Sequence, residues 1–156
     1  MNTDDETILR FSISGRISKP VHEVYEAVAD PAVLSEYFTT GGARGRIEPG
    51  AVVTWDFADF PGAFPVEVID AVPDERIVLR WDAPDTGDGA LRTTVTMTFA
   101  ALEDGRTLVT IAEEGWHDTD GGRTASYGNC EGWTGMLCAM KAWLEHSVNL
   151  RAGYYA

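Results

Sequence analysis

Glu113 is the residue in this sequence whose position could most readily do chemistry. Val109 and Ile111 alternate along a predicted strand, and continuing that alternation places Glu113 on the same inward face. A carboxylate in an apolar interior can act as a general acid or base, because it can accept or release a proton beside a bound molecule. His117 is a second, weaker candidate for that role. Alternatively, the strand ends before Glu113 and leaves its side chain in solvent.

Other residue types that carry chemistry do not fall at a recognisable spacing. The histidines, at positions 22, 117 and 146, lie on different predicted elements, so no two have the spacing of metal ligands. Cys130 and Cys138 are predicted on one helix about 12 Å apart, which is too far for a disulfide and agrees with a reducing compartment. The sequence also lacks a nucleophile elbow and a phosphate-binding glycine loop. We therefore predict no metal, no cofactor and no catalytic residue beyond the two weak candidates.

The chain is strongly acidic, which limits its partners. It has 25 acidic and 12 basic residues among 156, a formal net charge of −13. Such a surface repels phosphate backbones and anionic lipid head groups, so neither nucleic acid nor membrane is an expected partner. No apolar run approaches the roughly 20 residues of a membrane span. The first six residues lack the basic and apolar regions of a signal peptide. A cytoplasmic location and a single domain over residues 1–156 are the expectations.

Hydrophobic periodicity predicts the elements that position these residues. An alternating strand over residues 8–18 leads into two short helices. The first helix is expected to start at Ser18 with Pro20, and the second at Asp30 with Pro31 in its first turn. Six further alternating segments predict strands that short turns join into an antiparallel sheet. They cover residues 44–48, 51–57, 64–68, 77–81, 91–101 and 107–114.

A long amphipathic helix is predicted near the end of the chain. The glycine-rich segment 115–128 is interpreted as a loop, and the helix is expected to begin between Ser126 and Gly132 and to end near Leu150. Cys138 lies on its polar side, opposite a broad apolar stripe. The stripe contains Cys130, Trp133, Met136, Leu137, Met140, Trp143, Leu144 and Val148. A stripe of this width must be buried, and the concave face of the sheet is the surface available to it.

Four stretches of the chain resemble a known family, in the order in which that family has them. They are residues 19–27, 66–81, 107–116 and 132–145, the last reading GWTGMLCAMKAWLE. The chain is similar here to START-like proteins related to the activator of the ninety-kilodalton heat-shock-protein ATPase. The resemblance implies an α+β, helix-grip fold of the START-like and Bet v 1-like type. In that fold a curved antiparallel sheet of about seven strands wraps around a long C-terminal helix, and two short helices follow the first strand.

The resemblance also implies a cavity between the sheet and the long helix, opening beside the 115–128 loop. The expected ligand is a small apolar or aromatic molecule, because tryptophan and methionine side chains suit the irregular walls of such a cavity. A solid apolar core is the alternative that the same pattern would allow. The predicted ligand-binding residues are Trp55, Phe57, Val66, Val68, Leu79, Trp81, Val95, Met97, Phe99, Glu113, Trp133, Leu137 and Met140.

Three functions stay open at this level. Binding of a small ligand by a monomer or homodimer is the first. The second is a cyclase- or hydrolase-like enzyme that uses Glu113 or His117 as its acid or base. The third is a protein-interaction module of the co-chaperone type, which would use an exposed surface. A shared fold does not choose among them, so the choice depends on the geometry of the site.

Overall fold

The computed structural model describes residues 7–83, 87 and 89–156 of the chain. The first six residues, on which the signal-peptide expectation depends, lie outside this described part. The order of elements is the one that periodicity predicts: a strand, two short helices, six strands and a long helix. The elements are β1 (Ile8–Ile17), α1 (Val21–Ala29), α2 (Pro31–Tyr37), β2 (Gly42–Arg44), β3 (Val52–Phe57), β4 (Phe60–Val72), β5 (Arg76–Asp82), β6 (Arg92–Ala101), β7 (Thr107–His117) and α3 (Asp120–His146).

The strands form a seven-stranded antiparallel sheet in the order β1-β7-β6-β5-β4-β3-β2. Strands β2 to β6 each pair with the next in sequence, because short turns suffice to join antiparallel neighbours. Strand β1 pairs with β7 instead, so the first and last strands of the chain lie side by side. Irregular register in three of the strand pairs bends the strands, and the sheet curves as a result.

Helix α3 lies on the inward face of this sheet and packs chiefly against β1 and β7. Leu137 and Met140 are buried while Cys138 is exposed, which confirms the predicted phase of the helix. Inward side chains of the sheet and of all three helices form one apolar cluster. The predicted helix-grip architecture is therefore confirmed, and it brings the inward face of β7 against α3.

The two short helices begin in different ways. The Asp30 side chain accepts a hydrogen bond from the Ala32 N–H at 2.9 Å, and Pro31 is the first residue of α2, as predicted. The predicted start of α1 at Ser18 is wrong, because Pro20 occupies the N-cap without a capping side-chain bond. The Ser18 N–H donates to the Glu145 carboxylate of α3 at 3.2 Å, so this residue connects the end of β1 to the long helix.

Segment 115–128 is not the predicted loop. Strand β7 continues to His117, and α3 begins at Asp120, earlier than the sequence predicts. The Thr119 side chain caps the helix by accepting a hydrogen bond from the Gly122 N–H at 3.0 Å. Gly122 packs so closely on the His117 carbonyl that an added Cβ would lie 1.9 Å from its oxygen. Close packing explains this glycine, whereas helix propensity alone assigns it to a loop.

Two further boundaries differ from the prediction. Helix α3 ends at His146, short of the predicted end, because Ser147 takes up the left-handed conformation with φ of 54°. The strand predicted over residues 44–48 is found at Gly42–Arg44. The reason is that the Ile47 N–H donates to the end of α1 and not to a neighbouring strand.

Candidate functional site

Glu113 lies within β7 on the face that packs against α3. The strand continues past it, so the alternation of inward residues extends through Glu113, which is opposite Val95 of β6. Its exposed fraction is 1%. The alternative interpretation, in which the strand ends before this residue, is wrong. The next residue, Glu114, faces solvent on the other side of the sheet.

Four neutral side chains donate hydrogen bonds to the Glu113 carboxylate. The indole N–H of Trp133 donates to Oε1 at 2.8 Å, and the indole N–H of Trp81 donates to Oε2 at 2.9 Å. The Thr93 hydroxyl donates to Oε2 at 2.7 Å. The Asn129 amide nitrogen lies 3.1 Å from each carboxylate oxygen. We refer to Glu113 and these four donors as the carboxylate cluster.

Four elements build the carboxylate cluster. Trp81 of β5 and Thr93 of β6 are directly paired across their strands. Asn129 and Trp133 are four residues apart on α3, so they share one face of that helix. An ionised carboxylate accepts about four hydrogen bonds, and the four donors meet that capacity. No cation is among its hydrogen-bond partners in the part of the chain that the structure describes.

A groove with a volume of about 860 Å³ opens beside the carboxylate cluster. It lies between the middle of α3 (residues 127–139), the β3–β4 hairpin and the C-terminal segment, residues 147–156. Trp81, Asn129 and Trp133 belong both to its wall and to the carboxylate cluster, so Glu113 lies behind that wall. Most of the other large side chains that line the groove are aromatic, and we call it the aromatic groove. They are Phe38, Phe57, Phe60, Tyr127, Tyr154 and Tyr155.

The inner wall of the aromatic groove consists of rings in contact. Trp133 stacks with Trp81 at 5.5 Å between ring centroids and with Phe38 at 5.8 Å. Such contacts add to the energy of burial and fix the orientation of each ring. The rim is exposed, at Phe60, Tyr127 and Tyr154. The groove therefore has a rigid inner wall and an accessible aromatic rim.

An ion pair attaches the C-terminal segment to the β3–β4 hairpin. The Arg151 guanidinium donates to both carboxylate oxygens of Asp59, at 2.6 and 2.9 Å. The two side chains are only 9% and 6% exposed. Hydrogen bonding to Arg151 lowers the pKa of the Asp59 carboxyl below its usual value. The guanidinium also lies 5.3 Å from the ring centre of Phe57 and 4.9 Å from that of Tyr155, within cation–π range.

The predicted ligand-binding residues divide between the groove and the core. Phe57, Trp81 and Trp133 line the groove, and Glu113 lies behind its wall. Alternation identifies the inward face of a strand, but it does not separate the groove from the packed core on the same face. The residues that pack in the core and do not line the groove are Trp55, Val66, Val68, Leu79, Val95, Met97, Phe99, Leu137 and Met140.

Sequence reasoning missed most of the groove. Asn129 and Tyr127 line the groove but fall where the sequence predicts a loop or the start of a helix, so periodicity gives neither of them an inward face. The segment beside which an opening is predicted forms strand and helix and not a loop, and its last two residues, Tyr127 and Gly128, line the groove. The adjacent Tyr154 and Tyr155 were the one available signal for a further apolar contact. His117 ends β7 and does not line the groove.

The histidines stay apart in the structure. His22 of α1 pairs with Asp74 at 2.9 Å on the surface, while His117 ends β7 and His146 ends α3. Among the described residues, no group of three or more histidine, cysteine, aspartate or glutamate side chains is placed to hold a metal ion. Over the same residues, no helix combines the length and the apolar character needed to cross a membrane.

Comparison with protein families adds an independent finding. The sequence profile of the family described as Activator of Hsp90 ATPase homolog 1-like protein matches residues 18–145. No curated protein matches the sequence significantly. Among solved structures, protein SSP2350 from Staphylococcus saprophyticus superposes with a TM-score of 0.76 at 25% sequence identity. That match covers 92% of this chain and 96% of the other.

Two other solved structures share the fold. The Aha1 dimer from Colwellia psychrerythraea superposes with a TM-score of 0.69 at 18% identity, over 88% of this chain and 97% of that one. DynU16, a protein of the dynemicin biosynthetic locus, superposes with a TM-score of 0.72 at 25% identity. This second match covers 92% of this chain but 49% of the longer DynU16 chain.

Proposed function

This chain belongs to the Activator of Hsp90 ATPase homolog 1-like family, and from that premise we propose that it binds a small apolar or aromatic molecule in the aromatic groove. The observation that carries the proposal is a groove of about 860 Å³ with largely aromatic walls. Small-molecule sites typically have volumes of roughly 300–1,000 Å³ and are lined by apolar and aromatic side chains. An aromatic ligand placed against these rings would remove apolar surface from water, which is the main source of its affinity.

The rigid inner wall supports the proposal. Trp81 and Trp133 are fixed by stacking and by their hydrogen bonds to Glu113. A wall that is already ordered loses little conformational entropy when a ligand binds, so more of the contact energy appears as affinity. The DynU16 relative belongs to a biosynthetic locus, a setting in which a small-molecule partner is expected.

The position of Glu113 favours binding over catalysis. A general acid or base must lie within hydrogen-bond reach of the reacting atom. The Glu113 carboxylate lies behind Trp81, Asn129 and Trp133, and these groups together with Thr93 occupy its acceptor positions. We therefore assign Glu113 to the support of the groove wall, and we propose no acid–base role for it.

Occlusion of the groove tests the proposal. Thr134 of α3 is exposed and lines the groove, whereas Thr124 is exposed on the same helix and does not line it. We expect 1-naphthylmethanol to bind the wild-type protein saturably and to raise its melting temperature. Thr134→Trp should weaken that binding by about tenfold or more, because the added ring fills the groove. Isothermal titration calorimetry measures the affinity directly.

The matched control is Thr124→Trp, which adds the same ring to the same helix away from the groove. This variant should bind the probe as the wild type does. Equal loss of binding in both variants, or no saturable binding by the folded wild-type protein, would contradict the proposal. Failure to bind together with an assembly that depends on Phe60, Tyr127 and Tyr154 would favour a protein-interaction role, because these exposed rings form the rim.

A further inference from the structure

Glu113 is a buried acidic residue whose hydrogen-bond partners, among the residues that the structure describes, are all neutral. Its partners are two indoles, which can only donate, a hydroxyl, and the Asn129 amide, which directs its NH₂ group toward the carboxylate. A geometry of nearly pure donors suits an ionised carboxylate. Buried charges are usually paired with an opposite charge, so a carboxylate held by neutral donors alone is unusual.

The missing counter-charge is not found in the groove wall. Over the described part of the chain, Arg151 is the one basic residue that lines the groove, and its guanidinium is bound to the Asp59 carboxylate at 2.6 and 2.9 Å. Glu131 also lines the groove and is exposed. Asp59 balances the charge of Arg151, so the carboxyl groups of Glu131 on the wall and Glu113 behind it have no basic partner among the described groove residues.

The aromatic rings of the groove add to its attraction for a cation. Trp81 and Trp133 donate their N–H groups to Glu113, and such a bond polarises each indole so that electron density moves into the ring. Aromatic rings attract cations placed within about 6 Å, most strongly where water is excluded. Within this protein, the Arg151 guanidinium shows the same preference, lying 5.3 Å from Phe57 and 4.9 Å from Tyr155.

We infer that the aromatic groove selects an organic cation, namely an ammonium or quaternary ammonium group on an apolar or aromatic body. This inference rests on the proposed function and narrows its ligand class. The apolar body packs on the aromatic walls. The cationic group supplies the positive counter-charge for the carboxylates of Glu113 and Glu131. The net charge of −13 also favours the approach of a cation over that of an anion.

Three probes with one naphthalene body separate the possible outcomes. They are the cation (1-naphthylmethyl)trimethylammonium, neutral 1-naphthylmethanol and the anion 1-naphthylmethanesulfonate. Each is titrated into the full chain by calorimetry at about 20 mM and about 150 mM salt, because a long-range charge effect is screened at the higher concentration. We expect the cation to bind about tenfold or more tightly than the neutral probe at both concentrations, and the anion to bind most weakly.

Variants at three glutamates locate the source of the preference. Glu113→Gln should reduce the ratio of cation affinity to neutral-probe affinity by about tenfold, and Glu131→Gln should reduce it by a smaller factor. Glu114→Gln removes the same charge from the solvent face of β7 and should leave the ratio unchanged. If Glu113→Gln does not fold, Glu131→Gln and the order of the three wild-type affinities still decide whether the groove prefers a cation.

The outcomes distinguish this inference from the proposed function. Saturable binding of the neutral probe with no preference for the cation would overturn the inference and leave the proposed function standing. Tighter binding of the anion would overturn it as well. An equal loss of the preference in Glu114→Gln and Glu131→Gln would assign it to overall charge and not to the groove. Binding of none of the three probes would overturn the proposed function itself.

Discussion

At the scale of single residues, Glu113 has the largest influence on the site. Its burial follows from its place in the alternation of β7, but its effect comes from the side chains around it. By accepting hydrogen bonds from Trp81 and Trp133, it fixes the two indoles that form the inner wall of the groove. A buried charge solvated by neutral donors is costly unless every bond is made. The cluster should therefore be sensitive to small changes.

Replacement of Glu113 by glutamine tests that sensitivity. Glutamine keeps the shape but directs an NH₂ group toward indole and amide donors, so at least one buried donor loses its acceptor. We expect Glu113→Gln to lower the free energy of unfolding by about 1–3 kcal/mol. Chemical denaturation measures it, with Glu114→Gln on the solvent face as the control that should stay within about 0.5 kcal/mol. Unchanged stability in Glu113→Gln would mean that these hydrogen bonds do not contribute.

At the scale of elements, α3 owes its first three turns to packing and not to helix propensity. Its sequence there contains Gly121, Gly122 and Gly128, residues that destabilise isolated helices. Gly122 is required because its α-carbon lies against the His117 carbonyl, where a Cβ would be 1.9 Å from the oxygen. Gly128 is exposed, and an added Cβ would meet nothing within 4 Å. The same residue type thus has two different roles within one helix.

Alanine at these two glycines should have effects of opposite sign. Gly128→Ala should raise the free energy of unfolding by about 0.5–1 kcal/mol, because alanine favours the helix and restricts the unfolded chain. Gly122→Ala should lower it by about 1–3 kcal/mol, because the β7–α3 connection must shift to relieve the overlap. Both values are measured by urea denaturation. Equal stabilisation in the two variants would mean that the first turn of α3 tolerates a Cβ.

At the scale of the whole molecule, the C-terminal segment completes the groove. Arg151 reaches Asp59 across 92 residues of sequence, and the two side chains are almost fully buried. Leu150, Tyr154 and Tyr155 of the same segment line the groove. One side of the groove therefore depends on an ion pair between distant parts of the chain, whereas the opposite side depends on the carboxylate cluster.

The ion pair predicts a dependence of stability on pH. The pKa of Asp59 is lower in the folded protein than in the unfolded chain, where the pKa of aspartate is about 3.9. Its contribution is therefore present above about pH 4 and is lost as the pH falls through the lowered folded-state pKa. Asp59→Asn should lower the free energy of unfolding at neutral pH. The variant should also lose less stability than the wild type when the pH is lowered, because it has no carboxylate at position 59 to protonate. Denaturation at several pH values tests this, together with hydrogen exchange of the Arg151 and Tyr154 amides.

Asp104→Asn is the matched control for this prediction. Asp104 also has a pKa lowered by hydrogen bonding to a neighbouring arginine, Arg106, but the pair lies on the surface. Water screens such pairs, so this variant should change stability little. The loss from Asp59→Asn should remain below the roughly 3–5 kcal/mol seen when an interior ion pair is broken, because a terminal segment can detach and hydrate its arginine. Equal pH profiles for wild type and Asp59→Asn would contradict the prediction.

The sequence by itself determined the order of the elements, the antiparallel sheet and the phase of α3, and it indicated an inward Glu113 while leaving open whether β7 extends that far. These features follow from local periodicity, because alternate exposure to core and solvent marks each strand and helix along the chain. The resemblance of four stretches to one family determined the fold, and the comparisons agree with it.

Only the tertiary structure decided where the groove lies and what surrounds the carboxylate. Periodicity gives Trp55 and Trp81 the same inward face, yet the first packs in the core and the second lines the groove. The donors to Glu113 come from positions 16 to 32 residues away, and Arg151 meets Asp59 across a far longer interval. Contacts between distant positions carry no local period, so which side chains fill the interior and which leave space is settled only when all the elements have packed together.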